Sequence, residues 1–215
     1  MAYFSLFVVA FGVVLGTTEV LHRGLGVSGE DTRRFAHITG TLVAATLPFA
    51  LSWGQIVLVG GTFTVLLAWS RQRGTLQGLH GVDRTTWGEV FYPAGLALLA
   101  ALQPSRELFV YGTLVMGLSD GAAGFVGQHF GRHRIGIGPA TKSVEGSMTF
   151  LVTTLLVGVA VLLIGAEDAT LPVLAAAVAA VALTAVEMVL PWGLDNLLLP
   201  IAAAGVLGFI TGQVG

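Results

Sequence analysis

Long apolar segments recur along the whole 215-residue chain and are separated by short polar links. A bilayer core about 30 Å thick requires roughly 20 apolar residues in each spanning helix. Only 10% of the residues are charged, whereas soluble domains contain about 25%. The sequence therefore predicts an all-α integral membrane protein. Because the apolar runs leave no room for a separate soluble domain, we expect residues 1–215 to form a single transmembrane domain.

The apolar runs predict about eight transmembrane helices. No internal repeat and no strand-like alternation interrupts them, so we expect a purely helical bundle. The first run lacks the small-residue cleavage site of a signal peptide, which predicts a retained helix. The predicted spans, with approximate bounds, are 3–21, 35–51, 56–69, 88–102, 107–128, 146–164, 170–190 and 195–213.

The distribution of positive charge predicts the orientation of these helices. Short cytoplasmic loops retain lysine and arginine, and nine of the ten basic residues, Arg84 among them, fall in three links on one side of the predicted bundle. Only Arg106 lies on the other side, where Glu167 and Asp168 make a further link acidic. We therefore expect both termini outside and the polar face of the protein in the cytoplasm.

Composition also limits the partners. The net charge of −2 gives no indication of a nucleic-acid partner. The chain has no cysteine, which excludes disulfides and thiolate metal sites. The sequence does not determine the oligomeric state.

One stretch, residues 118–146, interrupts the apolar pattern with groups suited to phosphate and metal chemistry. It contains Asp120, the single lysine Lys142, Glu145 and a series of glycines. An acid within a membrane helix requires a partner such as a cation, a metal or water. The glycines recur every three or four residues along one helical stripe, which lets another backbone or a ligand approach closely. Tight helix packing alone would explain the glycines, but the basic loop that follows them favours a nucleotide–metal complex.

Further polar residues lie near the predicted cytoplasmic ends of other helices. They are His37, Glu89, Glu187, Asp195 and Asn196. Carboxylate and amide oxygens suit magnesium, which also binds substrate phosphates. Each acid alone could equally be a helix cap or an ion-pair partner of a loop arginine, and Asp195 is placed where a cap would stand. Neither the Walker-type phosphate loop nor the dinucleotide glycine fingerprint is present, so a nucleotide site here is of another kind.

The stretch resembles the nucleotide motif of the CTP-dependent polyprenol kinases, a family that includes dolichol, phytol and farnesol kinases. That motif reads D-x-x-A-x-x-x-G-x-x-x-G, then a loop, then K-K-T-x-E-G. The chain departs from it in a slightly longer loop, in Thr141 at the first lysine and in Ser143 at the threonine. The matching positions are Asp120, Ala123, Gly127, Gly131, Lys142, Glu145 and Gly146.

Three other segments resemble that family and extend the similarity over most of the chain. They are RRFAHITG (33–40), GEVFYPAG (88–95) and EMVLPWGLDNLLLP (187–200). The resemblance implies transfer of the terminal phosphate of CTP, with magnesium, to a membrane lipid alcohol at the cytoplasmic face. The alternative function is that of a phosphatidate cytidylyltransferase, an enzyme class that also uses CTP. A transport function is a more remote alternative, because the polar groups gather at one face and no repeat is visible.

The resemblance also implies roles for individual residues. Lys142 would contact the phosphates, with Arg132 and Arg134 as helpers, and His37 would take part in catalysis. The remaining cofactor-binding residues would be Gly127, Gly131, Ser143, Gly146 and Asn196. Magnesium ligands or groups that orient the hydroxyl would be Asp120, Glu145, Glu187 and Asp195, with Arg34 and Glu89 on the side of the lipid substrate.

Overall fold

The computed structural model describes residues 2–81, 86–137, 140–164, 169–190 and 193–213. Arg84, Glu167 and Asp168, which contribute to the predicted orientation, lie outside the described residues. The structure is 82% helix, which confirms the all-helical class. The elements are α1 (Ala2–Leu25), α2 (Gly29–Ala45), α3 (Trp53–Gln72), α4 (Gln77–His80), α5 (Gly88–Ala101), α6 (Arg106–Leu114), α7 (Asp120–His129), β1 (Arg134–Ile137), β2 (Ala140–Ser143), α8 (Val144–Leu162), α9 (Thr170–Val189) and α10 (Asp195–Thr211).

Five helical segments among the described residues are long and apolar enough to cross a membrane. They are Tyr3–Leu25, Trp53–Gln72, Arg106–His129, Val144–Leu162 and Thr170–Val189. The other three predicted spans correspond to α2, α5 and α10, which have 17, 14 and 17 residues. The protein therefore has several candidate membrane helices, while eight spans and external termini stay predictions.

The second helix differs most from its predicted bounds, because it begins at Gly29 rather than near residue 35. The Ser28 side chain caps it by accepting a hydrogen bond from the backbone N–H of Asp31 (3.2 Å). Glu30 and Asp31 in the first turn also suit the positive end of the helix dipole. The polar segment before residue 35 is thus helical, and it carries its arginines on the helix rather than in a loop.

A short antiparallel hairpin, β1–β2, occupies part of the basic loop, where the sequence predicts no strand. Its register pairs Arg134 with Ser143 and Ile135 with Lys142. Four-residue strands in a glycine-rich segment are too short to produce a visible alternation pattern. The hairpin matters for function because it holds Lys142 on paired backbone instead of in an irregular loop.

Helices α6 and α7 form one continuous helix through a π-helical turn at Val115–Ser119. Turns of this kind are rare and are frequent at functional sites. His37 Nε2 of α2 donates a hydrogen bond to the Met116 carbonyl in this turn (3.2 Å). Gly117 lies directly against Thr41, where any Cβ would collide with the threonine side chain. The π turn therefore fixes α2 against the helix immediately before α7.

Small residues allow other helix pairs to pack closely. A Cβ on Gly60 of α3 would lie 2.7 Å from the Pro93 carbonyl oxygen of α5. A Cβ on Gly158 of α8 would lie 2.9 Å from the Ala176 Cβ of α9. Membrane helices associate mainly through such contacts, because burial against lipid supplies little driving force.

Candidate active site

A cavity of about 830 Å³ joins the polar end of the helix bundle to an apolar interior. Elements far apart in sequence contribute to it, including α2, α5, α7, β2, α9 and α10. Its charged or strongly polar lining consists of Glu30, Arg33, Arg34, His37, Glu89, Asp120, Gln128, Arg134, Lys142, Glu187, Asp195 and Asn196. Its apolar part lies between α1, α3 and α5. The structure thus brings most of the sequence-predicted site residues to one place.

Lys142 and Glu187 form an ion pair between β2 and the last turn of α9. The lysine side chain is 22% exposed and the glutamate side chain 4%. Burial lowers the pKa of the Lys142 ammonium, but the carboxylates of Glu187 and Asp120 outweigh it and raise that pKa above its usual value. Lys142 therefore carries its positive charge inside the cavity.

Asp120 and Asp195 place two carboxylates in the same part of the cavity. Asp120 begins α7 and interacts electrostatically with Asp195 and Lys142. Within the described residues its carboxylate makes no ion pair or hydrogen bond that stabilises its charge. Asp195 Oδ1 accepts a hydrogen bond from the Asn196 backbone N–H (2.9 Å), and the N-cap position of α10 is Leu194. Asp195 is therefore not the N-cap of α10, which was the alternative interpretation of this residue from the sequence. Two neighbouring carboxylates repel each other, so Asp120 and Asp195 favour a cation between or beside them.

Asn196 supplies an uncharged oxygen next to these acids. Its Nδ2 donates a hydrogen bond to the Gly88 carbonyl (3.0 Å). A Cβ on Gly88 would lie 2.8 Å from that nitrogen, so the close approach depends on glycine. Asn196 Oδ1 is buried without a hydrogen-bond partner among the described residues. An unsatisfied buried acceptor of this kind is suited to a ligand.

The donor set fits magnesium. No group of three or more histidine, aspartate or glutamate side chains in the described part of the chain is close enough to form a metal site by itself. Magnesium is commonly held by only one or two carboxylates, with water and substrate phosphates completing its shell. Asp120, Asp195 and Asn196 all line the cavity and together carry that number of oxygen donor groups. Glu187, also predicted as a ligand, is instead engaged by Lys142.

Glu89 is the centre of a buried polar network at the start of α5. Its side chain is 2% exposed and forms an ion pair with Arg71, while Arg33 lies 3.9 Å away. His80 Nδ1 donates a hydrogen bond to it (3.1 Å). The Arg71 guanidinium also stacks over the Trp87 ring at 4.8 Å. This network fixes the ends of α2, α3, α4 and α5 relative to one another, and Glu89 keeps its place in the cavity lining.

Sequence reasoning did not identify the partners of Glu89. In the sequence, Arg71 is one of the nine basic residues that predict the orientation, and nothing singles out His80. They are 18 and 9 residues away in sequence and lie on two other helices, so no periodicity within one helix links them to Glu89. Tyr92 was also missed, although its ring packs edge-on against His37 at 4.8 Å and its hydroxyl is 2.9 Å from Thr41 Oγ1.

The motif glycines pack the hairpin against α7. A Cβ on Gly127 or on Gly131 would lie 2.8 Å from Ser143 Oγ. That oxygen accepts a hydrogen bond from the Gly146 N–H (3.1 Å) and so caps α8. Gly127, Ser143 and Gly146 also line the cavity, whereas Gly131 is not among the lining residues in the described part of the chain. The glycine spacing therefore positions the strand that carries Lys142.

Glu145 and Arg132 lie outside the cavity lining that the described residues form. The Glu145 carboxylate accepts hydrogen bonds from His133 Nδ1 (2.8 Å) and from the His133 backbone N–H (3.3 Å). It thus ties the start of the hairpin to α8. Arg132 is exposed, and its neighbour Arg134 lines the cavity instead. The structure does not bring Glu145 to Asp120, so its role as a metal ligand stays a prediction.

Arg34 contributes positive charge to the lining of the cavity, as Arg134 does. Its Nη2 donates a hydrogen bond to Gln128 Oε1 (2.7 Å), and its guanidinium stacks over Phe125 at 5.0 Å. These contacts hold the side chain on α7, one to two turns beyond Asp120. Arginine in such a fixed position is well suited to contact phosphate oxygens.

Comparison with known proteins gives one informative match. The chain is 32% identical to a phytol kinase of Synechocystis sp. over 197 residues, which are 90% of this chain and 84% of that protein. No profile of a known protein family matches the chain. No solved structure matches it either. Because the identity is 32% and the similarity covers 90% of this chain and 84% of the phytol kinase, the chain belongs to the family of phytol and related polyprenol kinases.

Proposed function

We propose that the protein is a lipid-alcohol kinase that transfers the terminal phosphate of CTP to the hydroxyl group of a long-chain isoprenoid alcohol. The observation that carries this proposal is the continuity of the cavity. A charged end with Lys142, Asp120 and Asp195 leads directly into an apolar interior. A phosphate donor and an apolar alcohol can therefore meet without either leaving the environment that suits it. The match to a phytol kinase supports the same class of acceptor.

The chemistry requires little of the protein beyond positioning and charge stabilisation. The alcohol oxygen forms a bond to the terminal phosphorus, and the bond from that phosphorus to the bridging oxygen breaks, so that CDP leaves. The hydroxyl proton passes to a carboxylate at Asp120 or Asp195. Lys142, already charged, stabilises the phosphate oxygens, and Arg134 contacts the remainder of the nucleotide. Arg34, which the resemblance placed on the side of the lipid substrate, is assigned to the nucleotide as well, because it is held on α7 beyond Asp120.

Magnesium, held by Asp120, Asp195 and Asn196, would neutralise charge on the phosphates. His37 orients the reacting groups from α2, where its ring lies beside Gly121 and its Nε2 proton is engaged by the Met116 carbonyl, which leaves Nδ1 as an acceptor. The distribution of arginine and lysine supports a cytoplasmic location for the charged end. That is the compartment that contains nucleoside triphosphates.

Label transfer from CTP tests this proposal. Purified protein in lipid nanodiscs receives phytol, magnesium and CTP labelled either at the terminal or at the innermost phosphate. We expect label to enter lipid from the terminal position alone, with CDP as the second product. Entry from the innermost position, with release of pyrophosphate, would instead identify a cytidylyltransferase. ATP and GTP in place of CTP, under the same conditions, test the choice of donor.

A further inference from the structure

The apolar arm of the cavity runs along one face of α3. Its α3 lining consists of Ile56, Val59, Gly60, Phe63 and Leu67. These positions follow one helical stripe, because they recur every three or four residues, with Val59 and Gly60 adjacent to each other. Eleven residues of helix separate the first from the last, which corresponds to a length of about 16 Å. The arm therefore extends through much of the thickness of a bilayer core.

Helix α1 forms the side wall of this arm towards the lipid. Phe11, Val14 and Leu15 line the cavity, and the Phe11 and Phe63 rings are in contact at a centroid distance of 5.3 Å. Val9 and Val13 of the same helix are exposed. Of the candidate membrane spans, α1 has the smallest buried share, 11% of its apolar window. A single helix thus separates the arm from the surrounding bilayer.

The arm is closed at the end away from the charged groups. Leu47, in the turn after α2, and Ile56, near the start of α3, both line it there and are almost completely buried. Leu96 of α5 is buried beside them. An apolar compartment of this size would exclude water and gain dispersion contacts when it is filled by hydrocarbon.

From these features, and resting on the proposed kinase function, we infer that the arm binds the hydrocarbon tail of the alcohol and that its closed end limits chain length. The hydroxyl group then lies at the Asp120 and Lys142 end, while the tail runs along α3 towards Leu47 and Ile56. Alcohols about as long as the arm are preferred substrates, which fits phytol and geranylgeraniol. Dolichols are too long to be enclosed and are poor substrates.

A matched pair of valine substitutions on α3 tests the limit on chain length. Val59 is 3% exposed and lines the arm, whereas Val65 is 69% exposed on the opposite, lipid-facing side of the same helix. We expect Val59→Phe to lower kcat/KM for phytol at least about tenfold, because even a methylene group of misfit in an apolar pocket has an effect of that size. Activity on geraniol, whose tail ends before Val59, stays near the wild-type value and shows that the variant is folded. Val65→Phe leaves both activities unchanged.

The chain-length inference is overturned if Val59→Phe and Val65→Phe give the same ratio of phytol to geraniol activity as the wild type. It is also overturned if wild-type protein phosphorylates a dolichol as efficiently as phytol. In both cases phosphate transfer continues, so the proposed kinase function survives.

A second measurement does not depend on catalysis or on a variant that folds. Wild-type protein is illuminated with a long-chain isoprenoid alcohol that carries a diazirine at the end of its tail, and the cross-linked peptides are mapped. We expect cross-links in the segment 47–59, competed by unlabelled phytol. Cross-links confined to lipid-exposed positions such as Val65 would overturn the inference. Competed cross-links at 47–59 without any phosphate transfer would instead support the tail site and contradict the kinase proposal.

Discussion

Replacement of Lys142 with methionine would separate a role on phosphate from a role in neutralising a buried acid. The Glu187 side chain is 4% exposed, and its Oε2 has no hydrogen-bond partner among the described residues. Removal of one partner from a buried pair typically costs about 3–5 kcal/mol, because the other charge is left uncompensated. Lys142 is 22% exposed, so water can partly replace its charge. We therefore expect Lys142→Met to lower the free energy of unfolding by about 3 kcal/mol, the lower end of this range.

The double variant Lys142→Met/Glu187→Gln contains neither charge. Replacement of both members of a buried pair is often close to neutral, so we expect its stability to lie within about 1 kcal/mol of the wild type. Its activity should not recover. Loss of one group that stabilises developing charge in the transition state costs about a hundredfold to a thousandfold in kcat. Glu187→Gln alone retains the lysine and should retain most of the activity.

Two assays on the same nanodisc preparations decide between these roles. Thermal unfolding reports stability, and transfer of the terminal phosphate of CTP to phytol reports turnover. The expected pattern is a destabilised and inactive Lys142→Met, a stable but inactive double variant and an active Glu187→Gln. If the double variant regains turnover close to the wild type, Lys142 serves only to neutralise Glu187 and the phosphate assignment is wrong.

Three further predictions concern the metal, the hairpin and the orientation. Asp120→Asn keeps the shape of the side chain but loses its charge, so a magnesium titration should show a higher half-saturating concentration as well as lower kcat; an unchanged titration would indicate an orienting role. Gly127→Ala should lower activity and reduce the free energy of unfolding by about 1–3 kcal/mol, because the added Cβ would lie 2.8 Å from Ser143 Oγ. The matched control in thermal-unfolding and activity assays is Gly124→Ala, whose added Cβ would have no neighbour within 4 Å. The chain has no cysteine, so single cysteines can be introduced at the exposed residues Gly136 and Glu107 and labelled in intact spheroplasts. Only the cysteine at 107 should react with an impermeant reagent. Reaction at 136 alone would invert the predicted orientation.

The helices could be predicted closely because the length of an apolar run is a local property. The last three described helices begin within about two residues of their predicted starts, well inside the usual error of such bounds. The prediction was wrong where polar residues continue a helix, as at the start of α2, where the Ser28 cap and the acidic residues of the first turn both favour the helix. It was also wrong for β1–β2, since cross-strand pairing is not a local property.

The types of residue in the site could also be predicted, but their pairings could not. Asp120, Lys142 and Asp195 were identified because charged groups in an apolar chain are costly and need a reason. The ion pair between Lys142 and Glu187 depends on the packing of β2 against α9. The two residues are 45 positions apart in sequence. The π turn before Asp120 could not be predicted either, and within it Gly117 packs against Thr41, which is distant in sequence.

If the protein is the proposed kinase, the charges in the cavity predict how nucleotide and metal bind. Lys142 is already paired with Glu187, and Arg33 and Arg71 lie against Glu89. Asp120 and Asp195 thus face the expected phosphate position without an equivalent basic partner in the described part of the chain, although Lys142 lies near them.

A free triphosphate would meet repulsion from these two acids, whereas a magnesium–triphosphate complex would relieve it, since like charges destabilise each other strongly at short range and low dielectric. The cation and the nucleotide should therefore bind cooperatively. In isothermal titrations without alcohol, CTP affinity should rise steeply with magnesium, and Asp120→Asn should weaken this dependence because it removes part of the repulsion that magnesium relieves. Equal CTP affinity with and without magnesium would show that the arginines alone determine nucleotide binding.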